Sequence, residues 1–200
     1  DMVLKNFPLP SGYSYSFGGE QQEQEEEMAF LSNAFMIALF LVFIIIVAQF
    51  NKIITPLIIM SSIILSTIGV FLGLLIFNMD FVVVMTMIGV ISLIGIVVNN
   101  AIVLIDFIEL NRKRRILNGS KSSEMEIIVD SITEAGRTRL RPVILTALTT
   151  ILGLMPLAIG MNFDFVNFFK SYELTFYLGG DNMVFFGPIA WAIIFGLTFA

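Results

Sequence analysis

Long apolar stretches alternate with polar segments along this chain of 200 residues. Each complete stretch has the roughly 20 residues that a helix needs to cross about 30 Å of hydrocarbon. The pattern predicts an all-α membrane protein, a multi-pass transmembrane helix bundle with five spans. We place these spans at residues 28–50, 53–77, 81–105, 140–159 and 184–200.

The two ends of the chain lead to different expectations. Residues 1–27 are polar and finish in an acidic run, which favours a solvated helix start before the first span. A cation-binding tail is the alternative for that run. The last residues stop inside an apolar stretch without a polar flank, so we expect the chain to be a fragment of a longer protein.

Lysine and arginine are concentrated in one segment. Eight of the eleven lie at residues 112–141, after span three and up to the start of span four, and Lys52 falls on the same side of the predicted topology. Cytoplasmic segments of membrane proteins carry an excess of these residues. We therefore expect residues 106–139 to be cytoplasmic and the N-terminus to lie on the opposite side.

Two polar segments carry patterns of their own. Ser123 and Glu126 have the spacing of a capping box, and apolar residues follow at helical spacing. This predicts a cytoplasmic amphipathic helix near 123–136, on the membrane surface or against the bundle. Segment 161–183 is rich in aromatic residues, which is typical of an interfacial belt or of a loop packed under an extramembrane domain.

Composition narrows the chemistry. The chain is 57% hydrophobic, and it contains no Cys and no His. This excludes disulfides, thiolate chemistry, histidine-ligated metals and histidine-based acid–base catalysis. The net charge of −5 is balanced locally, so we expect no nucleic-acid partner. Nucleotide-binding and nucleophile motifs are missing from the sequence, so we predict no catalytic residue and no cofactor.

Span three carries a stripe of small and polar residues on one helical face. An amide inside hydrocarbon needs a protein or water partner, because lipid offers none. The adjacent Asn99 and Asn100 therefore indicate a helix bundle or a wet cavity, although asparagines also serve as interhelical glue. The stripe also includes Asp106, at the end of the span. Its remaining members, Gly89, Ser92 and Gly95, are predicted to support helix packing.

Span four offers possible partners for these amides. Arg139, Thr146 and Gly153 are seven residues apart and share a face. Arg139 is the candidate to turn inward towards Asn99, whereas Arg137 and Arg141 are most simply basic anchors at the membrane surface. In span two, Gly69 and Gly73 form a GxxxG motif, which predicts close helix packing. Gly153 in span four is also predicted to support helix packing.

Two motifs carry a resemblance to a known family. Residues 95–107, GIVVNNAIVLIDF, resemble the tenth transmembrane helix of resistance-nodulation-division (RND) efflux pumps. Residues 137–148, RTRLRPVILTAL, followed by ILGLMPL, resemble the eleventh. The resemblance places the chain at helices eight to twelve of a twelve-helix domain, with residues 1–27 as the end of a periplasmic porter region. It is nearer to the hydrophobe/amphiphile branch than to the metal-exporting branch.

The resemblance implies a proton-driven pump of the bacterial inner membrane. Such pumps form homotrimers in membrane lipid and work with a periplasmic adaptor and an outer-membrane channel. Protons pass where two aspartates on the fourth helix, absent from this chain, face polar residues on helices ten and eleven. By motif position, Asn99, Asn100, Arg139 and Thr146 match that proton relay. Well-studied pumps carry a lysine where this chain has Asn99, which cannot ionise.

Other functions stay open at this point. An RND-related exporter of lipid, or a helper of protein translocation, would keep the fold and change the cargo. An intramembrane protease needs two facing carboxylates, whereas only Asp106 lies near the end of a span. A purely structural membrane scaffold is the remaining alternative. The substrate-binding residues cannot be assigned from this sequence.

Overall fold

The five predicted spans are five helices. The computed structural model describes residues 20–118, 123–163 and 176–200. All five helices are long and apolar enough to cross a membrane, so the predicted all-α multi-pass bundle is confirmed. The elements are α1 (Glu20–Phe50), α2 (Ile54–Ile76), α3 (Val83–Leu117), α4 (Glu124–Ile159), β1 (Met161–Phe163), β2 (Phe176–Leu178) and α5 (Asp181–Phe199).

Two sequence predictions fall largely outside these residues. The proposed end of a porter region occupies 1–27, of which the structure describes only the part from residue 20, where α1 begins within the acidic run. The aromatic segment 161–183 is described at 161–163 and from 176 onwards. There, β1 and β2 form an antiparallel pair that connects α4 to α5.

Helix α5 packs against α2, α3 and α4 and so organises the bundle. It is apolar on all sides, as expected for a helix surrounded by other helices. Trp191 fixes its position relative to α4 by donating a hydrogen bond from Nε1 to the Ala158 carbonyl oxygen at 3.0 Å. The core between α2, α3 and α5 consists of Val70, Leu74, Val90, Leu93, Val97, Ala192, Ile193, Phe195 and Leu197.

The predicted packing glycines divide into two groups. A Cβ at Gly69 or Gly73 would overlap an aromatic side chain of α5, and a Cβ at Gly89 would crowd Ala192 and the Ile189 backbone. These three glycines therefore let α5 approach α2 and α3 closely. By contrast, a Cβ at Gly95 or Gly153 would meet nothing within 4 Å among the described residues. Those two lie on a face that the described part of the chain leaves open.

We predict that Gly73→Val destabilises the full-length protein, because the new side chain would overlap Phe195. Overpacking of this kind typically costs about 1–3 kcal/mol. The measurement is the thermal unfolding midpoint in detergent, followed by tryptophan fluorescence. The matched control is Gly136→Ala, where a Cβ meets nothing within 4 Å, and we expect it to cause no decrease. Equal midpoints for both variants would contradict the assigned contact.

Helix α1 lies at the edge of the bundle. Two of its three buried residues, Ile46 and Phe50, belong to a second core with α2 and α3. Half of its apolar side chains are exposed, which suits a helix that faces lipid or protein outside this chain. The other members of this core are Ile59, Ile63, Ile94 and Val98.

Helices α3 and α4 both continue well beyond their apolar parts. The sequence predicted that span three ends near residue 105 and that a separate amphipathic helix at 123–136 precedes span four. The structure corrects this, because one unbroken helix runs from Glu124 to Ile159 and α3 runs to Leu117. Hydropathy marks where a helix leaves the membrane, but the backbone hydrogen bonds continue through polar residues. The predicted capping box is present at Ser123 and Glu126.

Ion pairs join the two polar extensions into a helical hairpin. Arg115 on α3 donates to Asp130 and Glu134 of α4 at 3.0 and 2.9 Å. The two acidic residues are four positions apart, so they share a helical face and fit one forked guanidinium. Arg112 also pairs with Glu124 at 2.8 Å. These contacts join α3 and α4 at the end of the bundle where the two polar extensions lie side by side.

Lys52 lies at the same end of the bundle as this hairpin. Its Nζ is 2.7 Å from Glu109 Oε1, on the polar extension of α3. The Glu109 side chain is only 18% exposed, so the pair is better shielded from water than a typical surface ion pair. The sequence predicted that most basic residues lie on one side of the membrane. Those that the structure describes are at one end of the bundle.

Candidate functional site

The two adjacent asparagines of α3 face different surroundings. Asn100 is half-buried and points towards α4, whereas Asn99 is exposed. The difference follows from the helix, since successive residues lie about 100° apart around the axis. One amide therefore serves the contact between α3 and α4, and the other lies on a surface that the described residues do not cover.

Thr146 of α4 is the partner of Asn100. Its Oγ1 lies 3.3 Å from Asn100 Oδ1 and 2.8 Å from the Val143 carbonyl oxygen. A hydroxyl has a single proton, and the shorter distance favours donation to Val143. Exchanging the amide oxygen and nitrogen of Asn100 would allow Nδ2 to donate to Thr146 Oγ1, so that both bonds form. Either way, the two predicted relay residues meet across the helix contact.

Arg139 contacts an aromatic ring rather than Asn99. Its guanidinium carbon lies 4.6 Å from the centre of the Phe107 ring on α3. Its Nε is buried and has no hydrogen-bond partner among the described residues. The expected turn of Arg139 towards Asn99 is therefore not seen, since among these residues no hydrogen bond joins the two side chains.

One register explains both contacts. Asn100 and Phe107 are seven residues apart on α3, and Arg139 and Thr146 are seven apart on α4. Seven residues are close to two helical turns, so each pair lies on one face. Because α3 and α4 are antiparallel, Asn100 meets Thr146 while Phe107 meets Arg139 two turns nearer the hairpin. The candidate site is this line of contacts.

An open polar face lies beside the contacts. Ser92, Gly95 and Asn99 are exposed on α3, and Thr149 and Gly153 are exposed on α4. Ser92 and Thr149 donate to carbonyl oxygens of their own helices, at 2.9 Å in each case, which satisfies their protons without another helix. A polar surface with small residues at membrane depth suits a neighbouring helix better than lipid.

A groove of about 440 Å³ opens on the other side of Asn100. It lies between α2, α3, α4 and α5, and its polar groups include Asn100 and Ser62. Its volume could hold several waters, at about 30 Å³ each, but its walls are mainly apolar. The apolar lining includes Ile58, Leu104, Leu140, Ile144 and Leu197.

The site can exchange hydrogen bonds but cannot itself titrate within the membrane. Residues 81–105 and 142–159 contain no ionisable side chain. Asparagine and threonine neither gain nor lose protons near neutral pH, and arginine stays charged. The face therefore supplies an amide, a hydroxyl and a fixed positive charge. The face itself contains no group that binds and releases protons near neutral pH.

The carboxylates do not form a second candidate site. Asp106 is exposed on α3, and the described residues contain no group of three or more acidic side chains arranged to hold a metal ion. Glu109, Asp130 and Glu134 are engaged in ion pairs with basic residues. The arrangement does not favour the protease alternative, which needs two facing acids.

Sequence reasoning missed Phe107 and the Lys52–Glu109 pair. Phe107 ends the resembling motif, but nothing in its local pattern distinguishes it from other apolar residues. Its contact with Arg139 depends on the register of α3 against α4, which a local sequence pattern does not give. For the second pair, the one available signal is that Lys52 and Glu109 lie on the same predicted side of the membrane.

Comparisons with known proteins agree with the arrangement of motifs. Residues 1–162 match the family described as AcrB/AcrD/AcrF. The swarming motility protein SwrC of Bacillus subtilis is 35% identical over 76% of this chain, and this match covers 13% of SwrC.

Two other relatives carry names of resistance proteins. The multidrug resistance protein MdtC of Erwinia tasmaniensis is 32% identical over 76% of the chain. The cobalt-zinc-cadmium resistance protein CzcA of Cupriavidus metallidurans is 30% identical over 78%. The chain spans 14% of the length of each. Because the family match extends over most of the chain and these relatives align over three quarters of it, the chain belongs to the AcrB/AcrD/AcrF family of RND transporters.

Proposed function

We propose that the full-length protein exports hydrophobic or amphiphilic compounds by proton antiport, and that this chain supplies the non-titrating side of its proton relay. The observation that carries the proposal is the line formed by Asn100, Thr146 and Arg139 between two helices that have no ionisable residue at membrane depth. Polar groups in such a place are costly and are usually functional.

Each residue has a distinct part in the proposed relay. Arg139 provides a positive charge that stabilises ionised acids elsewhere in the protein and releases them when they are protonated. Thr146 and Asn100 hold each other's hydrogen-bonding groups in place between the helices. Asn99, on the open face, offers its amide to the part of the protein that covers it. Because an amide cannot ionise, Arg139 is the permanent cation of the relay on this side.

The proposal includes a place in the whole protein. The chain would form helices eight to twelve of a twelve-helix domain, and the open polar face would pack against the half that carries the acids. The hairpin end would be cytoplasmic, which agrees with the basic residues gathered there. The assembly would be a homotrimer in the inner membrane, with a periplasmic adaptor and an outer-membrane channel as partners.

We predict that transport by the full-length protein depends on a proton gradient. Purified protein in liposomes should move a lipophilic dye when a pH difference is imposed, because the relay couples the two fluxes. The measurement is dye fluorescence with and without a protonophore, which collapses the gradient. Protein-free liposomes are the control. Dye transport of equal rate after the gradient has been collapsed would contradict the proposal.

Metal export is the second candidate, because CzcA, a cobalt-zinc-cadmium resistance protein, aligns over 78% of the chain. The same liposomes can be assayed with Zn²⁺, Co²⁺ and Cd²⁺ and a metal-sensitive dye. Transport of a cation without transport of lipophilic dyes would replace the proposed substrate class. Lipid export is distinguished by following a labelled phospholipid in place of the dye.

A further inference from the structure

Arg139 forms no ion pair or side-chain hydrogen bond among the described residues. It is half-buried, and its Nε is shielded from solvent without an acceptor among the described residues. Of the acidic groups at this end of the bundle, Glu109 pairs with Lys52, and Asp130 and Glu134 pair with Arg115. Asp106 is exposed on α3 and forms no ion pair with Arg139 among the described residues. The contact that the structure does give the guanidinium is the face of the Phe107 ring.

The geometry of this contact is that of a cation–π interaction. The guanidinium carbon is 4.6 Å from the ring centre, within the roughly 6 Å over which the negative face of an aromatic ring attracts a cation. A planar guanidinium also stacks on a ring, which a lysine ammonium does not do. The ring can therefore hold the charge in one position without neutralising it.

Holding the charge without neutralising it matters for a relay. A carboxylate in place of the Phe107 ring would form a tight ion pair with Arg139 and compete with the acids that the relay must serve. A ring gives weaker attraction, so the guanidinium stays available to a stronger partner. Phe107 also lies on the same line of contacts as Asn100, two turns along α3.

We infer that Phe107 is a positioning residue, which orients the Arg139 guanidinium for proton coupling through the face of its ring. The inference rests on the proposed function, in which Arg139 answers acids in the rest of the protein. Phe107 touches neither the substrate nor the proton. It acts through the place at which it keeps Arg139.

The test uses the full-length protein in liposomes with three substitutions. Phe107→Leu removes the aromatic face and keeps an apolar side chain, whereas Phe107→Tyr keeps the face. Ile108→Ala changes the next residue of α3, also half-buried, and controls for general packing. We expect Phe107→Leu to lower the maximal rate of gradient-driven dye transport by about fivefold with little change in KM. Phe107→Tyr should restore most of the rate, and Ile108→Ala should stay near wild type.

Arg139→Ala, assayed in parallel, separates the two claims. If it abolishes transport while Phe107→Leu transports like wild type, the inference about Phe107 is wrong and the proposed relay stands. If Arg139→Ala transports like wild type, the relay assignment itself fails. Equal loss in Phe107→Leu and Phe107→Tyr, at equal thermal stability, would show that the position needs a phenylalanine for packing and would also overturn the inference. Restoration by tyrosine alone supports it.

Discussion

Arg139→Ala should nearly abolish proton-driven efflux by the full-length protein. The substitution removes the fixed charge beside Phe107, the only charge among the proposed relay residues. A charge-assisted hydrogen bond contributes about 1.5–3 kcal/mol, so its loss corresponds to roughly a 10- to 100-fold lower rate. The measurement is the initial rate of dye efflux from energised cells at matched protein abundance.

Two nearby arginines provide matched controls for this prediction. Arg137 and Arg141 lie on the same helix and are exposed, unlike the half-buried Arg139. Replacing either by alanine removes the same charge from the same end of α4, so we expect efflux within about twofold of wild type, as for most surface changes. A similar loss in all three variants would indicate a general need for basic residues, not a specific role of Arg139.

Asn100→Leu should also impair efflux strongly, because it removes the amide that meets Thr146. The Thr146 hydroxyl would keep its bond to the Val143 carbonyl, but the polar connection between α3 and α4 would be lost. A hydrogen bond between membrane helices contributes about 0.6 kcal/mol on average and up to about 1.7 kcal/mol. Its loss corresponds to roughly a three- to eighteenfold change in rate if it falls on the coupled step. The measurement is again the rate of dye efflux at matched abundance.

The partner variant and a neighbouring threonine test this assignment. Thr146→Val keeps the shape of the side chain and removes the hydroxyl, so it should lower efflux in the same direction as Asn100→Leu. Combined, the two substitutions should cost less than the product of their separate effects, because they remove one interaction. Thr149→Val is the control, since Thr149 bonds only within its own helix among the described residues. Fully multiplicative effects would contradict a shared contact.

The spans could be predicted from sequence because membrane crossing depends mainly on apolar length. The limits of α3 and α4 could not, because their helices continue into polar residues that hydropathy assigns to a loop. The central position of α5 in the bundle could not be predicted from the sequence either. A helix that is apolar on every side, such as Asp181–Phe199, gives no periodic signal of which face meets a neighbour.

The candidate site was predictable in its residue types but not in its pairings. Helical spacing and residue type identified four candidate site residues, because amides, hydroxyls and charges are costly at membrane depth. They are Asn99, Asn100, Arg139 and Thr146. Which of them touch depends on the register of α3 against α4, which a local sequence pattern does not give. For this reason Thr146 could be named without its partner, and Phe107 was not recognised as a neighbour of Arg139.

Proton movement coupled to substrate transport tests the central claim most directly. Full-length protein in liposomes that enclose a pH-sensitive dye would be given substrate under an imposed pH gradient, with Arg139→Ala compared against Arg137→Ala. The account predicts substrate-dependent proton movement in wild type and Arg137→Ala and its near absence in Arg139→Ala. Equal substrate-dependent proton movement in the two variants would contradict the assignment of Arg139 and its line of contacts to the relay.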